Sequence, residues 1–454
     1  MDSILTTYGD FVDVYVEKAE TTRITCEDNR IEDIVSGSVT GVGVRVIKGG
    51  KTVYGSTCDL TGEGVKELVR RLCSGEKTTT FRESNIRLKK LETASCPALI
   101  LPGDVPLEKK VGLVRTANGC ARSEGGDKIQ QVGVSYSDAV LDIVIASSSG
   151  TYTEERRVYT NFSVNVVAKK GKTVQTGHEL AGGLAGFELF QRCDVTDVAG
   201  AAARRALGML DARKMPAGEM MVVLSSEAGG TMIHEAVGHS LEADAVQKDI
   251  SPAYKGKLGR EVASPLITVI DDPTLPGRRG SYRFDDEGTP ARRTVLIENG
   301  VLKSYLYDNY TAGKDGTVST GNGRRESYDF KPIPRMSNTC ILPGRDDPAG
   351  IIRSVPKGIL VKKMGGGQVN TANGDFVFEV AEGYEIKDGR IGGMVRGACL
   401  IGNGPRILNS IDMVGTDLGF GIGTCGKDGQ GVPVSDAQPT LRIPRITVGG
   451  TESA

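Results

Sequence analysis

Residues 220–239 run Met-Met-Val-Val-Leu-Ser-Ser-Glu-Ala-Gly-Gly-Thr-Met-Ile-His-Glu-Ala-Val-Gly-His. The first five are apolar and too few for a helix, so they predict a short buried strand. Ser225-Ser226-Glu227 then supply a capping hydroxyl and an early acidic side chain for a helix. Ala228, Met232, Ile233, Ala236, Val237 and Leu241 give that helix apolar cover. Inside this buried pattern sit His234, Glu235 and His239, residue types that packing alone does not select.

The chain changes texture on either side of this stretch. Upstream, Val12, Val14 and Val16 alternate with Asp13 and Tyr15, the period of a half-buried strand. Gly41-Val-Gly-Val-Arg-Val-Ile-Lys-Gly-Gly-Lys-Thr-Val-Tyr54 reads as two strands joined at Gly49-Gly50. Val65, Leu68, Val69 and Leu72 fall on one helical face, and Leu107, Val111 and Val114 mark a second helix over about 105–122. A polar, proline-containing connection spans 80–104. Strand patterns return at Gln131–Tyr136, Val140–Ala146 and Phe162–Ala168, followed by an alanine-rich helix over about 196–213 with Pro216 just beyond it.

Downstream of about residue 265 come short β patterns divided by Asn299-Gly300, Asn373-Gly374 and Asp388-Gly389. These patterns predict an α+β protein. Residues 1–215 form a mixed α/β half with an antiparallel sheet, divisible into 1–80 and 105–215. Residues 216–454 form a β-rich half, a curved sheet or barrel-like body, and the main boundary falls near 214–218.

Composition removes several function classes. The net charge of −1 gives no pull toward nucleic acid or an anionic membrane. Tryptophan is absent, so stacking platforms for bases or sugars are not expected. The 61 glycines accompany only 18 prolines and sit between apolar stretches, which signals tight turns rather than disorder. Nine cysteines, an odd number without a Cys-x-x-Cys pair, do not form a secreted disulfide framework. The opening Met1-Asp-Ser-Ile-Leu-Thr-Thr-Tyr-Gly-Asp10 has no basic region followed by an apolar core, so no leader is expected. No run approaches the ~18 apolar residues of a membrane span. A reducing cytoplasm is the expected location.

Only three histidines exist, and two of them flank Glu235 within six residues. Zinc sites in helices commonly use histidines at i and i+4, which share a face. Here the spacing is i+5, a rotation of about 140° on an ideal helix. A one-residue π-bulge would bring His239 back toward His234, and Gly238 is where the backbone can distort. The same ideal helix would place Glu242 about 80° from His234, between the two histidines, where it could orient a ligating imidazole or serve as an additional ligand. Neutral imidazoles bind Zn²⁺, and a carboxylate at Glu235 can accept a proton from an attacking water. Iron or cobalt would suit similar ligands. A catalytic zinc usually has three protein ligands, and the residues alone leave the third open among nine cysteines, many carboxylates and His178. His178, in Gly177-His178-Glu179, reads as a surface or domain contact.

Competing motifs fail on single positions. Gly50-Lys51-Thr52 and Gly171-Lys172-Thr173 mimic a phosphate loop, but Arg45 and Val166 stand where its first glycine belongs. Gly238-His-Ser240-Leu-Glu242 departs from a nucleophile elbow at its last residue. Gly41-Val-Gly43 does not continue as a dinucleotide fingerprint.

Ile233-His-Glu-Ala-Val-Gly-His239, Gly41-Val-Gly-Val-Arg-Val, Thr320-Gly-Asn-Gly, Gly423-Thr-Cys-Gly-Lys-Asp-Gly-Gln-Gly431 and Val448-Gly-Gly together resemble the TldD/PmbA family of metallopeptidases, specifically its TldD-like catalytic subunit. The resemblance runs nearly end to end. It implies that Cys425 joins His234 and His239 around one Zn²⁺ per chain and that Glu235 is catalytic. It also implies a dimer enclosing a narrow site, formed with a second copy or with a metal-free TldE/PmbA-like relative. Such a site admits short or unfolded peptides, as in trimming of modified peptide precursors or removal of small unstable proteins. Two further readings fit the same residues: a non-catalytic regulatory or scaffold protein with structural zinc, and a zinc hydrolase acting on a non-peptide bond. An intact Glu235 favours catalysis, since a structural site needs no general base.

Overall fold

Period-two alternation builds the amino-terminal half. The computed structural model describes residues 10–73, 88–91, 94–95, 98–370 and 372–450. The opening stretch before Asp10 lies outside the described residues, as do 80–87, 92–93 and 96–97 of the polar connection. Strand β1 (Phe11–Glu27) buries Val12 and Val14 on one face and Asp13, Tyr15 and Glu17 on the other. It pairs antiparallel with β2 (Arg30–Lys48) across Asp28-Asn29, both at positive φ, and β2 pairs with β3 (Lys51–Thr57) across Gly49-Gly50. Helix α1 (Gly62–Cys73) and helix α2 (Leu107–Gly125) follow. Next come β4 (Ile129–Ser147), β5 (Thr151–Lys170), β6 (Thr173–Leu184) and helix α3 (Val195–Asp211). The two patterns read at 131–136 and 140–146 form one continuous strand, β4. The sheet order is β3-β2-β1-β4-β5-β6, antiparallel at every one of these pairings.

One face of this sheet carries the helices. Val65, Leu68 and Val69 of α1 pack on Val12, Val14, Val44 and Val46. Farther along the same strands, α2 and α3 cover Ile24, Val132, Val134, Phe162, Val164 and Val166. The alanines of α3 let it approach β6 so closely that a Cβ on Gly177 would lie 2.0 Å from the Ala202 carbonyl oxygen.

The carboxy-terminal half begins with β7 (Gly218–Leu224). Its later strands are β8 (Val269–Asp271), β9 (Thr294–Glu298), β10 (Asn338–Ile341), β11 (Lys357–Asn370) and β12 (Asp375–Lys387). They continue with β13 (Cys399–Asn403), β14 (Gly419–Lys427), β15 (Gln430–Gln438) and β16 (Leu441–Gly449). Strands β11, β7, β16, β13 and β12 pair in that order, and β12 pairs back to β11, which closes a five-stranded barrel. A second sheet runs β9-β8-β10-β15-β14, with β14 at its edge. One core links the two, from Val222, Phe378 and Ile443 in the barrel to Val432 and Val434 in the sheet. The fold is α+β, with a β-rich, barrel-containing second half.

The other face of the amino-terminal sheet is polar and meets this β-rich body through buried ion pairs. Asp13 accepts from Arg45 Nε at 2.6 Å, and Arg45 lies 2.5 Å from Glu287. Arg157 bridges Glu155 (2.9 Å) and Asp286 (2.8 Å), and Arg325 reaches Asp13 at 3.3 Å. Such pairs are costly to desolvate, so they register the two layers more than they stabilise them. Burial pushes Glu17 up to about 7. Burial and neighbouring carboxylates push Asp285 up to about 7 and Glu287 up to about 8, against the pull of Arg45 on Glu287. Each carboxyl holds its proton more tightly folded than unfolded, where its pKa is ~4. Stability therefore falls as pH rises from about 4 through 8. Calorimetry between about pH 6 and 8.5 at fixed salt should show Tm falling on the order of 5 °C. Glu287→Gln should flatten that slope.

Candidate metal centre

Strand β7 ends at Leu224, and the Ser225 hydroxyl accepts from Glu227 N–H at 3.2 Å, capping a short turn over Ser226–Ala228. The predicted helix does follow, but not at one pitch. Thr231–Ile233 is α-helical, His234–Gly238 is π-helical, and His239–Leu241 tightens to a 3₁₀ turn. The π turn closes with His239 N–H donating to the His234 carbonyl, five residues back. That widening absorbs the i+5 spacing: the two imidazoles stand 5.2 Å apart between ring centroids, nearly perpendicular at 88°. A Cβ at Gly238 would lie 2.0 Å from Met336 Sδ, so a larger residue there would have to displace the buried Met336 side chain.

The helix stops short of Glu242, which is extended (φ −72°, ψ 125°) and opens the next helix, Ala243–Gln247. The ideal-helix placement of Glu242 therefore does not apply. The turn nevertheless brings Glu242 Oε2 to 3.1 Å from His239 Nδ1.

Cys425 arrives from a distant part of the chain, on edge strand β14. The ligand atoms of His234, His239 and Cys425 all lie within 4.8 Å of one another, and Cys425 Sγ is 3.4 Å from His239 Nε2. His234 and Cys425 are buried, and His234 Nδ1 has no hydrogen-bond partner. Burial alone would raise the Cys425 thiol, but hydrogen bonds from His234 and His239, with their charge, hold it down at about 5. Burial opposes protonation of both imidazoles, but Cys425 pushes His234 up, and Glu242 together with Cys425 pushes His239 up. A thiolate and two imidazoles sharing protons in a buried pocket form a donor set that a divalent cation would take over, releasing those protons. One sulfur and two nitrogens, converging with a buried nitrogen to spare, suit zinc.

Glu235 sits on the π turn, half-buried, and its charge raises the buried Asp436 carboxyl after burial itself and against His234. Glu242 is held down at about 2: burial opposes this, and Lys427 and His239 override it. Lys427 Nζ lies 2.9 Å from Glu242 Oε2 and 2.6 Å from Asp244 Oδ1. Sequence reasoning missed Lys427, Asp244 and Asp436. The one available signal was that Lys427 follows Cys425 by two residues and so shares its face of a strand. His178 is exposed on β6 with Nδ1 2.7 Å from Asn165 Oδ1, away from the cluster. A concavity of about 970 Å³ on the barrel, between Glu219, Val377, Ile401 and Arg445, shares no residue with the cluster.

Known proteins match nearly the whole chain. Models of the PmbA/TldA metallopeptidase match domain 1 at residues 12–75, the central domain at 100–210 and the C-terminal domain at 217–450. A protein named metalloprotease TldD homolog from Haemophilus influenzae is 37% identical over 453 residues, covering 97% of this chain and 93% of its own. A metalloprotease of Methanocaldococcus jannaschii is 37% identical over 439 residues, covering 96% of each chain. Among solved structures, a protein described as a putative modulator of DNA gyrase from Thermotoga maritima superposes with a TM-score of 0.79 at 22% identity, covering 97% of this chain and 96% of that one. TldE from Thermococcus kodakarensis does so at 0.76 and 21% identity, covering 97% of each chain. At that identity the two structures share the fold alone.

Glu242→Gln should weaken metal binding by roughly 10- to 100-fold, the usual cost of losing the partner that orients a ligating imidazole. Competition against a chromophoric chelator measures it. Gly238→Ala should lower bound metal further while circular dichroism stays near wild type.

Proposed function

The chain belongs to the PmbA/TldD family of metallopeptidases, and on that premise we propose that it is a zinc-dependent peptidase acting on short or unfolded polypeptides. The observation that carries this reading is the convergence of His234, His239 and Cys425 beside Glu235, from segments that meet only in the folded chain. These three residues hold one zinc ion per chain, with Glu242 behind His239 fixing which ring nitrogen faces the metal. Zinc bound there supplies Lewis acidity toward a peptide carbonyl and lowers the pKa of water to about 7.

The protein's own residues do the rest. A Glu235 carboxylate oxygen takes the proton of the attacking water and passes it to the leaving amine. Lys427 balances Glu242, so that the carboxylate stays ionised against its burial and keeps its bond to His239 Nδ1. Strand β14 stands at a sheet edge and carries Gly419, Gly421, Gly423 and Gly426, so an extended backbone can come close to it. That favours flexible peptides, read by main chain more than by side chain.

In the same reading the chain divides near residue 215 and pairs with a second copy or with a metal-free TldE/PmbA-like relative. Cys26, Cys58, Cys120, Cys193, Cys340, Cys399 and Cys425 are free thiols, which suits a reducing cytoplasm. No helix among the described residues is long and apolar enough to cross a membrane.

Purified protein and its Glu235→Ala variant, incubated with a mixture of unstructured peptides, test the assignment. Wild type should cleave, and the variant should keep its zinc and lose about a hundredfold or more in rate. Equal zinc with no cleavage by either, even with the candidate partner subunit added, would replace this reading with the structural-zinc scaffold.

A further inference from the structure

Between the polar face of the amino-terminal sheet and the β14–β15 hairpin lies a cavity of about 240 Å³, lined in part by Arg157, Arg279, Arg324, Arg325, Tyr159 and Thr424. Four guanidiniums border it, and two are already neutralised: Arg157 by Glu155 and Asp286, Arg325 by Asp13. Arg279 and Arg324 have no carboxylate partner among the described residues. Arg279 donates to the Gly423 carbonyl (3.1 Å), to Asn161 Oδ1 (2.7 Å) and to Thr424 Oγ1 (3.1 Å). Arg324, 2% exposed, donates to the carbonyls of Met336 (2.6 Å) and Pro433 (2.8 Å), and its Nε has no partner.

Neutral acceptors satisfy N–H groups without cancelling charge, and a charge without a counter-ion is expensive at buried Arg324 and less so at half-buried Arg279. Burial already pushes Arg279 down, and the charge of Arg324 pushes it further, against Tyr159. The acidic groups at the cavity do not answer this need. Asp286 is held by Arg157 at 2.8 Å. Glu17 accepts from the Tyr15 hydroxyl at 2.8 Å and, with burial pushing it up to about 7, is half-protonated near neutrality. Glu326 is exposed at the rim and bound to Gly431 N–H. A second cavity of about 260 Å³ shares Asn161, Arg279 and Thr424 and continues past the hydroxyls of Ser135, Ser137 and Ser163. Beyond Arg279 it gives a ligand's remaining atoms an uncharged, largely apolar course past Leu180 and Ile422, with those hydroxyls along it.

We propose that these joined cavities form a carboxylate-binding site, with the carboxylate seated between Arg279 and Arg324. The carboxylate comes either from a free small acid or from a peptide, as its C-terminus or an Asp or Glu side chain. The peptide source rests on the peptidase reading; the site does not. Thr424 at the cavity immediately precedes Cys425, so the ligand occupies the opposite side of the strand that delivers the thiol to the metal cluster.

The test is isothermal titration of the full-length protein with succinate, with an unstructured acidic peptide bearing a free C-terminus, and with the same sequence fully amidated. Binding of succinate, the free-acid peptide or both, without the amidated peptide, supports the site, and which of the two binds identifies the source. Arg279→Gln should then weaken binding roughly tenfold to a hundredfold, the usual cost of losing a charge-assisted hydrogen bond. Asn161→Asp keeps the side chain's size and places a permanent carboxylate beside Arg279. It should raise Tm and abolish succinate binding. The proposal fails if wild type binds none of the three ligands, if affinity is the same in both variants, or if Asn161→Asp lowers Tm. Because none of these readouts is cleavage, an inactive protein would still decide the question.

Discussion

The contact between Cys425 and His239, 186 residues apart, is the constraint on which the site depends. A strand at the edge of one sheet must lie against a helical turn leaving the barrel, close enough for a thiol and two imidazoles to share one small volume. The chain achieves this with two local distortions. The π turn puts histidines five residues apart onto one side, and Gly238 lets that turn press on Met336. The hairpin at Asp428-Gly429, both residues at positive φ, returns β14 onto β15 so that Cys425 faces the turn.

Charge then fastens what geometry brings together. Lys427 reaches from the strand of Cys425 to Glu242 and Asp244, on the chain just after the histidines. The ion pairs therefore join the same two segments that the cluster of His234, His239 and Cys425 joins. Glu242 makes the link chemical, because its other partner is the ring nitrogen of His239. A similar economy governs the larger interface, where Asp13, Arg45, Glu287, Arg157 and Asp286 register the polar face of the first sheet on the β-rich body. Buried ion pairs of this kind specify position more than they add stability. Where the pairing is incomplete, at Arg279 and Arg324, the interface carries charge that a ligand could balance.

Much of the architecture was legible in the residues, for identifiable reasons. Alternating valines announced the long antiparallel strands, and the spacing of Val65, Leu68 and Val69 announced the helix that covers them. The Gly49-Gly50, Asn299-Gly300 and Asp388-Gly389 turns were readable because left-handed conformations restrict which residues can occupy them. The unbroken run of β4 was less legible, since Ser137, Asp138 and Ala139 interrupt its apolar pattern without ending its hydrogen bonding. Extrapolating an ideal helix to Glu242 failed because the chain changes pitch twice before reaching it.

The sequence by itself determined the α+β class, the strand and turn pattern, and the proximity of His234, Glu235 and His239, because these follow from periodicity and from short spacings along one segment. It could not select Cys425 from nine cysteines on chemistry alone; only family resemblance pointed there. Tertiary structure decided which cysteine meets the histidines, that Lys427 and Asp244 stand behind them, and that two arginines face a cavity without counter-ions among the described residues. Those facts depend on which distant strands become neighbours when the barrel closes and the sheets stack. That outcome belongs to the packing of the whole chain, and no local pattern encodes it.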